Sequence, residues 1–225
     1  MKAIVLLSGG LDSTTCLALA LEEYEPSEVL AVNMFYGQKH DREMRSARDV
    51  AKYYGVELIE LDLSAIFARS DCSLLKASTE AIPEGSYAEQ QKDHPGKPVS
   101  TYVPFRNGLM LSAAASIAIS VGASIVFYGA HADDAAGNAY PDCSPRFSRF
   151  MSEAIFAGSG DSVHIEAPFI NMTKADIVRI GTDLGAPYEL TWSCYAGGDH
   201  PCGKCGTCID RQKAFEANGL EDPAK

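Results

Sequence analysis

The chain has 225 residues, 46% of them hydrophobic and 22% charged, a balance that suits one sizeable core and excludes a low-complexity or disordered protein. Thirty acidic residues against 19 basic ones leave a formal net charge of −11, which argues against a nucleic-acid partner gripped by a broad basic face. No apolar stretch reaches the roughly 18 residues of a membrane span, and no basic-then-apolar leader opens the chain, so no membrane is expected and the cytoplasm is the expected compartment.

Strand and helix patterns alternate from the start. An apolar run over 2–7 predicts the first strand, and helical periodicity over 12–23 follows it. A second strand is expected over 29–34, a charged helix over 39–54, and a third strand over 56–61. Residues 70–101 mix Pro, Gly, Ser and charge, and read as an inserted loop holding one short helix. Residues 107–121 read as a buried helix and 124–128 as a fourth strand. A helix over 147–156, a fifth strand over 163–167 and a last well-formed helix over 173–184 precede a Gly/Cys-rich tail. The alternation implies a Rossmann-like α/β fold: a parallel five-stranded sheet with right-handed crossovers and helices on both faces. We therefore expect one domain over 1–190, with a metal-binding tail over 191–225 packed on it.

Ligands in such folds sit at the carboxyl ends of the strands. Five polar clusters fall there: Ser8–Thr14, Tyr36–His40, Arg106–Asn107, His131–Asp134 and Lys174. In Ser8-Gly9-Gly10-Leu11-Asp12-Ser13-Thr14 the glycines allow close backbone approach, and the following helix offers its positive end. The string would also make an N-capped turn, but its placement after a strand favours phosphate binding. The lysine of a Walker loop is missing. Arg106, ahead of a helix, suits bidentate binding of a phosphate or carboxylate. Asp133 and Asp134 are adjacent and can reach one hard cation, Mg²⁺ in ATP chemistry. Cys194, Cys202, Cys205 and Cys208 form C-x7-C-x2-C-x2-C, the pattern of a closed structural zinc site. An iron–sulfur cluster is the rival, and a disulfide set is disfavoured by compartment and spacing. Cys16, Cys72 and Cys143 lack such partners.

SGGLDST resembles the pyrophosphate loop of the N-type ATP pyrophosphatases. In those enzymes the loop holds the β- and γ-phosphates of ATP as a leaving group and exposes the α-phosphorus. "SGGLDSTT", "FYGQKHDRE", "YVPFRNGLML", "GAHADDAAGNAYPDC", "TWSCY" and the cysteine tail, in this order from Ala3 to Arg211, further resemble the 7-cyano-7-deazaguanine synthases of queuosine biosynthesis. Some members have Gln at Leu11, and Gly-Tyr-Pro-Asp at Ala139–Asp142. The resemblance implies conversion of 7-carboxy-7-deazaguanine to the nitrile with ATP, Mg²⁺ and free ammonia, one structural Zn²⁺ per chain, and a homodimer. It implies nucleotide binding by the Ser8–Thr14 loop and Met34, and catalysis by Lys174, Arg106, Asp133 and Asp134. Tyr36, Gln38, His40, Tyr140 and Asp142 are the expected base-binding residues. The family's reaction is usually written with ADP and phosphate as products, whereas the loop itself argues for AMP and pyrophosphate. Two alternatives stand beside it: a tRNA-thiolating enzyme of the same superfamily, and a non-catalytic nucleotide-binding regulator.

Overall fold

A computed structural model describes residues 1–92 and 95–224; residues 93 and 94 of the expected insertion and residue 225 of the tail lie outside the described residues. Five short strands, β1 (Ala3–Leu6), β2 (Val29–Phe35), β3 (Glu57–Asp62), β4 (Ile125–Phe127) and β5 (His164–Glu166), form one parallel sheet in the order β3-β2-β1-β4-β5. Val5 pairs with Ala31 on one side and Phe127 on the other, so β1 is central. Six longer helices surround the sheet: α1 (Leu11–Ala20), α2 (Arg42–Tyr54), α3 (Arg106–Val121), α4 (Pro145–Gly158), α5 (Lys174–Asp183) and α6 (Gly206–Ala217).

The two-residue period of the central strand sorts the core. Ala3, Val5 and Leu7 point to one face, where Leu17, Val50, Ile177 and Phe215 bring in α1, α2, α5 and α6. Ile4 points to the other, where Leu111, Ala118 and Ile155 bring in α3 and α4. The strand order reverses between β1 and β4, so the chain leaves their carboxyl ends in opposite directions and opens a crevice between them.

Local chemistry sets several helix ends. Gly55 stops α2 in the left-handed region, at φ +68°. Ser144 caps α4 by accepting the Phe147 N–H, and Pro145 takes the first helical position, so this helix starts two residues before the apolar periodicity does. The helix expected to be buried over 107–121 is buried on one face: Leu111, Ala114 and Ala118 are buried, while Ser112, Ser116, Ile119 and Ser120 face outward.

A larger correction concerns the tail: the helix expected over 173–184 is not the last well-formed one, because α6 follows it. Gly and Cys read as poor helix formers, yet Cys205 enters the helix in extended geometry and Cys208 sits in its first turn. Ala214 and Phe215 then bury against the core that also holds Ile177 and Val178, and this packing outweighs weak propensity. The segment 70–101 is likewise anchored. Cys72, Leu74 and Leu75 pack with Tyr36, Phe67 and Val103, and the helical turn Tyr87–Gln90 carries a Ser86/Glu89 capping box. Single bridges tie Leu75 to Gln38 and Glu84 to Cys205.

Candidate active site

Gly9 follows β1 with φ +87°, and a Cβ there would collide with the Glu43 carbonyl oxygen and the Ala47 amide of α2. Only glycine lets the loop lie this close to α2. Gly10 then caps α1 without a side-chain hydrogen bond, leaving the first amides of the helix open to an anion. Ser8 and Ser13 share a hydroxyl–hydroxyl bond of 3.0 Å, which holds the loop against the start of α1. From the tail, the Trp192 N–H donates to the Gly9 carbonyl at 2.9 Å.

Asp12 is the hub of the charged cluster. Its Oδ2 lies 3.3 Å from Lys174 Nζ and 3.8 Å from His131 Nε2, and His131 Nε2 lies 3.4 Å from Asp134 Oδ2. Burial works to raise the Asp12 carboxyl, but Lys174 and then His131 outweigh it and hold it below the ordinary carboxylate value. Burial would likewise lower Lys174, yet Asp12, Asp134 and Asp210 together hold its ammonium above the usual range. The two therefore face each other as a buried ion pair at neutral pH. The adjacent aspartates divide their work: Asp133 Oδ2 accepts the Lys174 backbone N–H at 2.7 Å and tethers the start of α5, while Asp134 lines the crevice.

The crevice deepens into a cavity of about 200 Å³. Ser8, Gly10, Asp12 and Ser13 of the loop line it, together with Asp134 and Lys174. Met34, Tyr36, Gln38 and Arg106 line it as well. Arg106 donates from Nη1 to the Tyr36 hydroxyl at 3.2 Å and lies over that ring at 5.0 Å. Burial opposes its charge, but Tyr36 and Asp142 raise its pKa further still.

Gly9, Leu11, Thr14, His40, Asp133, Tyr140 and Asp142 stand outside the cavity lining. Leu11 and Thr14 are in the protein interior. Asp142 accepts the Asn107 N–H at 2.8 Å and so supports the start of α3, behind Arg106. The Tyr140 hydroxyl bonds Thr101 at 2.6 Å and Tyr195 at 3.2 Å, and Tyr195 bonds Tyr87 at 2.8 Å. This tyrosine clasp joins the insertion, the YPDC segment and the tail into one wall. The His40 ring packs on Gly197 of the tail.

Sequence reasoning passed over Glu43, which also lines the cavity. Burial pushes its carboxyl up to about 7, against the pull of Arg106. The available signal was an acidic residue in the first turn of the helix that follows a polar cluster, inside the string FYGQKHDRE.

In the tail, one sulfur each from Cys194, Cys202, Cys205 and Cys208 lies within 4.8 Å of the others, a group that could hold one metal ion. Amide donors already point at the sulfurs: Cys202 N–H to Cys194 Sγ at 3.3 Å and Lys204 N–H to Cys202 Sγ at 3.4 Å. None of the seven cysteines is in a disulfide.

A family model described as "Queuosine biosynthesis protein QueC" matches residues 2–219. The chain belongs to this family. Similar relatives include the 7-cyano-7-deazaguanine synthases of Archaeoglobus fulgidus, at 46% identity over 99% of this chain and 89% of the relative, and of Thermoplasma acidophilum, at 44% over 99% and 90%. The synthase of Oceanobacillus iheyensis is 41% identical over 100% of this chain and 97% of its own. The protein is thus an enzyme of the QueC family, with the crevice at the β1/β4 switch point as its candidate active site. Among the described residues no helix is long and apolar enough to cross a membrane.

Proposed function

We propose that this enzyme converts 7-carboxy-7-deazaguanine to 7-cyano-7-deazaguanine with ATP and ammonia, adenylating first the acid and then the amide. One observation carries the reading: a single cavity joins an anion-binding loop with a buried lysine to an arginine suited to a carboxylate. A carboxylate is a poor electrophile, so its oxygen must become a leaving group before nitrogen can enter. In this reading the α1 amides and Lys174 hold the departing phosphates, where Lys174 meets charge as it develops. Arg106, braced by Tyr36, holds the substrate carboxylate. Met34 and Tyr36 offer apolar and aromatic surface to the base. The same groups serve the second round, because acid and amide both present oxygen to the same phosphorus.

The carboxylates facing the cavity fit Mg²⁺, and Asp134 would hold it; when bound, the ion neutralises phosphate charge. The Cys194, Cys202, Cys205 and Cys208 set fits Zn²⁺. Four thiolates bound at about 2.3 Å to one tetrahedral ion lie within about 4 Å of each other, in keeping with the observed grouping. A cluster spreads its thiolates over separate irons and would need them wider apart. Four sulfur ligands close the coordination shell, so the zinc is structural.

The tRNA-thiolating alternative needs a reactive thiolate at the cavity. Cys143 lines it, but burial pushes that thiol well above its ordinary value, and the net charge of −11 disfavours a tRNA. We also read the enzyme as a cytoplasmic homodimer, with exposed Phe105 just before α3, Ile119 near its end and Phe150 on α4 as apolar side chains to cover. Sedimentation should then show two chains per particle. The activity itself is tested by incubating the protein with ATP, ammonium and the carboxylic acid. The nitrile is the expected product; its absence, with ATP untouched, would refute the reading.

A further inference from the structure

We propose that Glu43 is the ammonia-receiving residue of this enzyme: its carboxylate binds ammonium inside the cavity and takes one proton from it before the nitrogen attacks the activated acyl carbon. The inference rests on the acid-to-nitrile reading above and assigns the one reactant that reading leaves without a site.

Position is the first argument. Glu43 stands in the first turn of α2, its carbonyl packs against Gly9, and it lines the same cavity as the phosphate loop and Arg106. That is where the acyl carbon must lie, if Arg106 holds the carboxylate and the loop holds the phosphates. Availability is the second. The other cavity carboxylates are engaged, Asp12 with Lys174 and Asp134 beside His131. Among the described residues Glu43 has no cation within ion-pair distance. The groups that face it are Arg106 from α3, Cys194 from the tail, and Tyr36 and Gln38 from the loop after β2. Gln38 accepts the Tyr36 N–H at 2.9 Å through Oε1, which turns its amide nitrogen toward Glu43 and fixes the carboxylate.

Charge is the third. A second carboxylate beside the binding place of a carboxylic acid repels that substrate unless a cation or a proton accompanies it. Ammonium supplies both. A carboxylate in hydrogen-bond reach of ammonium can take its proton as a general base.

The step balances as follows. Ammonium gives one proton to the Glu43 carboxylate and becomes ammonia. The nitrogen lone pair forms the C–N bond, and the acyl C–O bond breaks with its electron pair leaving on the AMP phosphate. The new nitrogen sheds one further proton to water, giving the amide, and Glu43 returns its proton to solvent.

The test uses Glu43→Gln and Glu43→Asp in the full chain, with melting curves to check the fold. Glu43→Gln should raise KM for ammonium about tenfold or more at neutral pH, the loss of one charge-assisted contact. That KM should fall again as pH rises and free ammonia replaces ammonium in solution. Hydroxylamine, already a free base at neutral pH, should still be captured as the hydroxamate. A raised KM for the carboxylic acid with the ammonium KM untouched would make Glu43 a base-recognition residue and overturn the proposal. Where Glu43→Gln fails to fold, Glu43→Asp decides: an unchanged ammonium KM overturns the proposal, and a raised one with hydroxylamine capture kept supports it. Wild-type protein that shows no acid-dependent exchange of pyrophosphate into ATP would instead refute the activity reading itself.

Discussion

Lys174 and Asp12 meet at 3.3 Å where neither is well solvated, and this makes substitutions in the loop unequal. Ser13→Ala should cut ATP turnover and keep the fold, since it removes one hydroxyl at the cavity edge. Asp12→Ala should cost both, because Lys174 is only 7% exposed and loses its partner, a penalty of about 3–5 kcal/mol. Parallel melting curves separate the two; equal melting temperatures would show that the pair does not stabilise the fold. Glu43 gives a pH signature with a definite sign. Its carboxyl holds its proton up to about 7 when folded but only to about 4.3 when unfolded, so the native state binds more protons in that window. Stability should therefore fall as pH rises from about 4.3 to about 7, and Glu43→Gln should flatten that slope in denaturant titrations. A slope identical in both proteins would show that Glu43 titrates normally.

Among the elements, those with regular apolar patterns were legible from sequence and those held by long-range partners were not. β1 and β2 announce themselves as continuous aliphatic runs because a central parallel strand is buried on both faces. Helix α6 does not, because its packing on α5 and its start among cysteines depend on contacts far along the chain. The loop after β2 shows the same limit at finer grain. Tyr36 and Gln38 line the cavity while His40 turns to Gly197 of the tail, a choice made by a partner about 150 residues away that no local pattern encodes. The tail also reaches the Ser8–Thr14 loop through the Trp192–Gly9 bond. Stripping the metal with a chelator should thus lower the melting temperature and raise KM for ATP together. Elemental analysis should find one zinc per chain and no visible absorption band. Retention of both stability and KM without metal would show that the tail is not a staple for the site.

For the molecule as a whole, the proposed reaction turns on which phosphorus is attacked. The crevice between the ends of β1 and β4 receives the phosphate loop from one side and the His131–Asp134 segment and α5 from the other. A kinase needs its loop to release the γ-phosphoryl group; in the proposed reaction the α1 amides and Lys174 instead hold the terminal phosphates together as one leaving unit. On that proposal, substrate held by Arg106 and Tyr36 meets the α-phosphorus. Carboxylate oxygen labelled with ¹⁸O should accordingly appear in AMP twice, once from the acid and once from the amide, with two ATP consumed per nitrile. Without ammonia the reaction should stop at an acyl-adenylate. Lys174→Ala should slow both rounds alike, by about a hundredfold or more, because the same pyrophosphate departs each time. Label found only in inorganic phosphate, with ADP accumulating, would place the attack on the γ-phosphorus and refute adenylation. A lysine substitution that slowed one round and spared the other would mean that the two rounds do not share one phosphate grip.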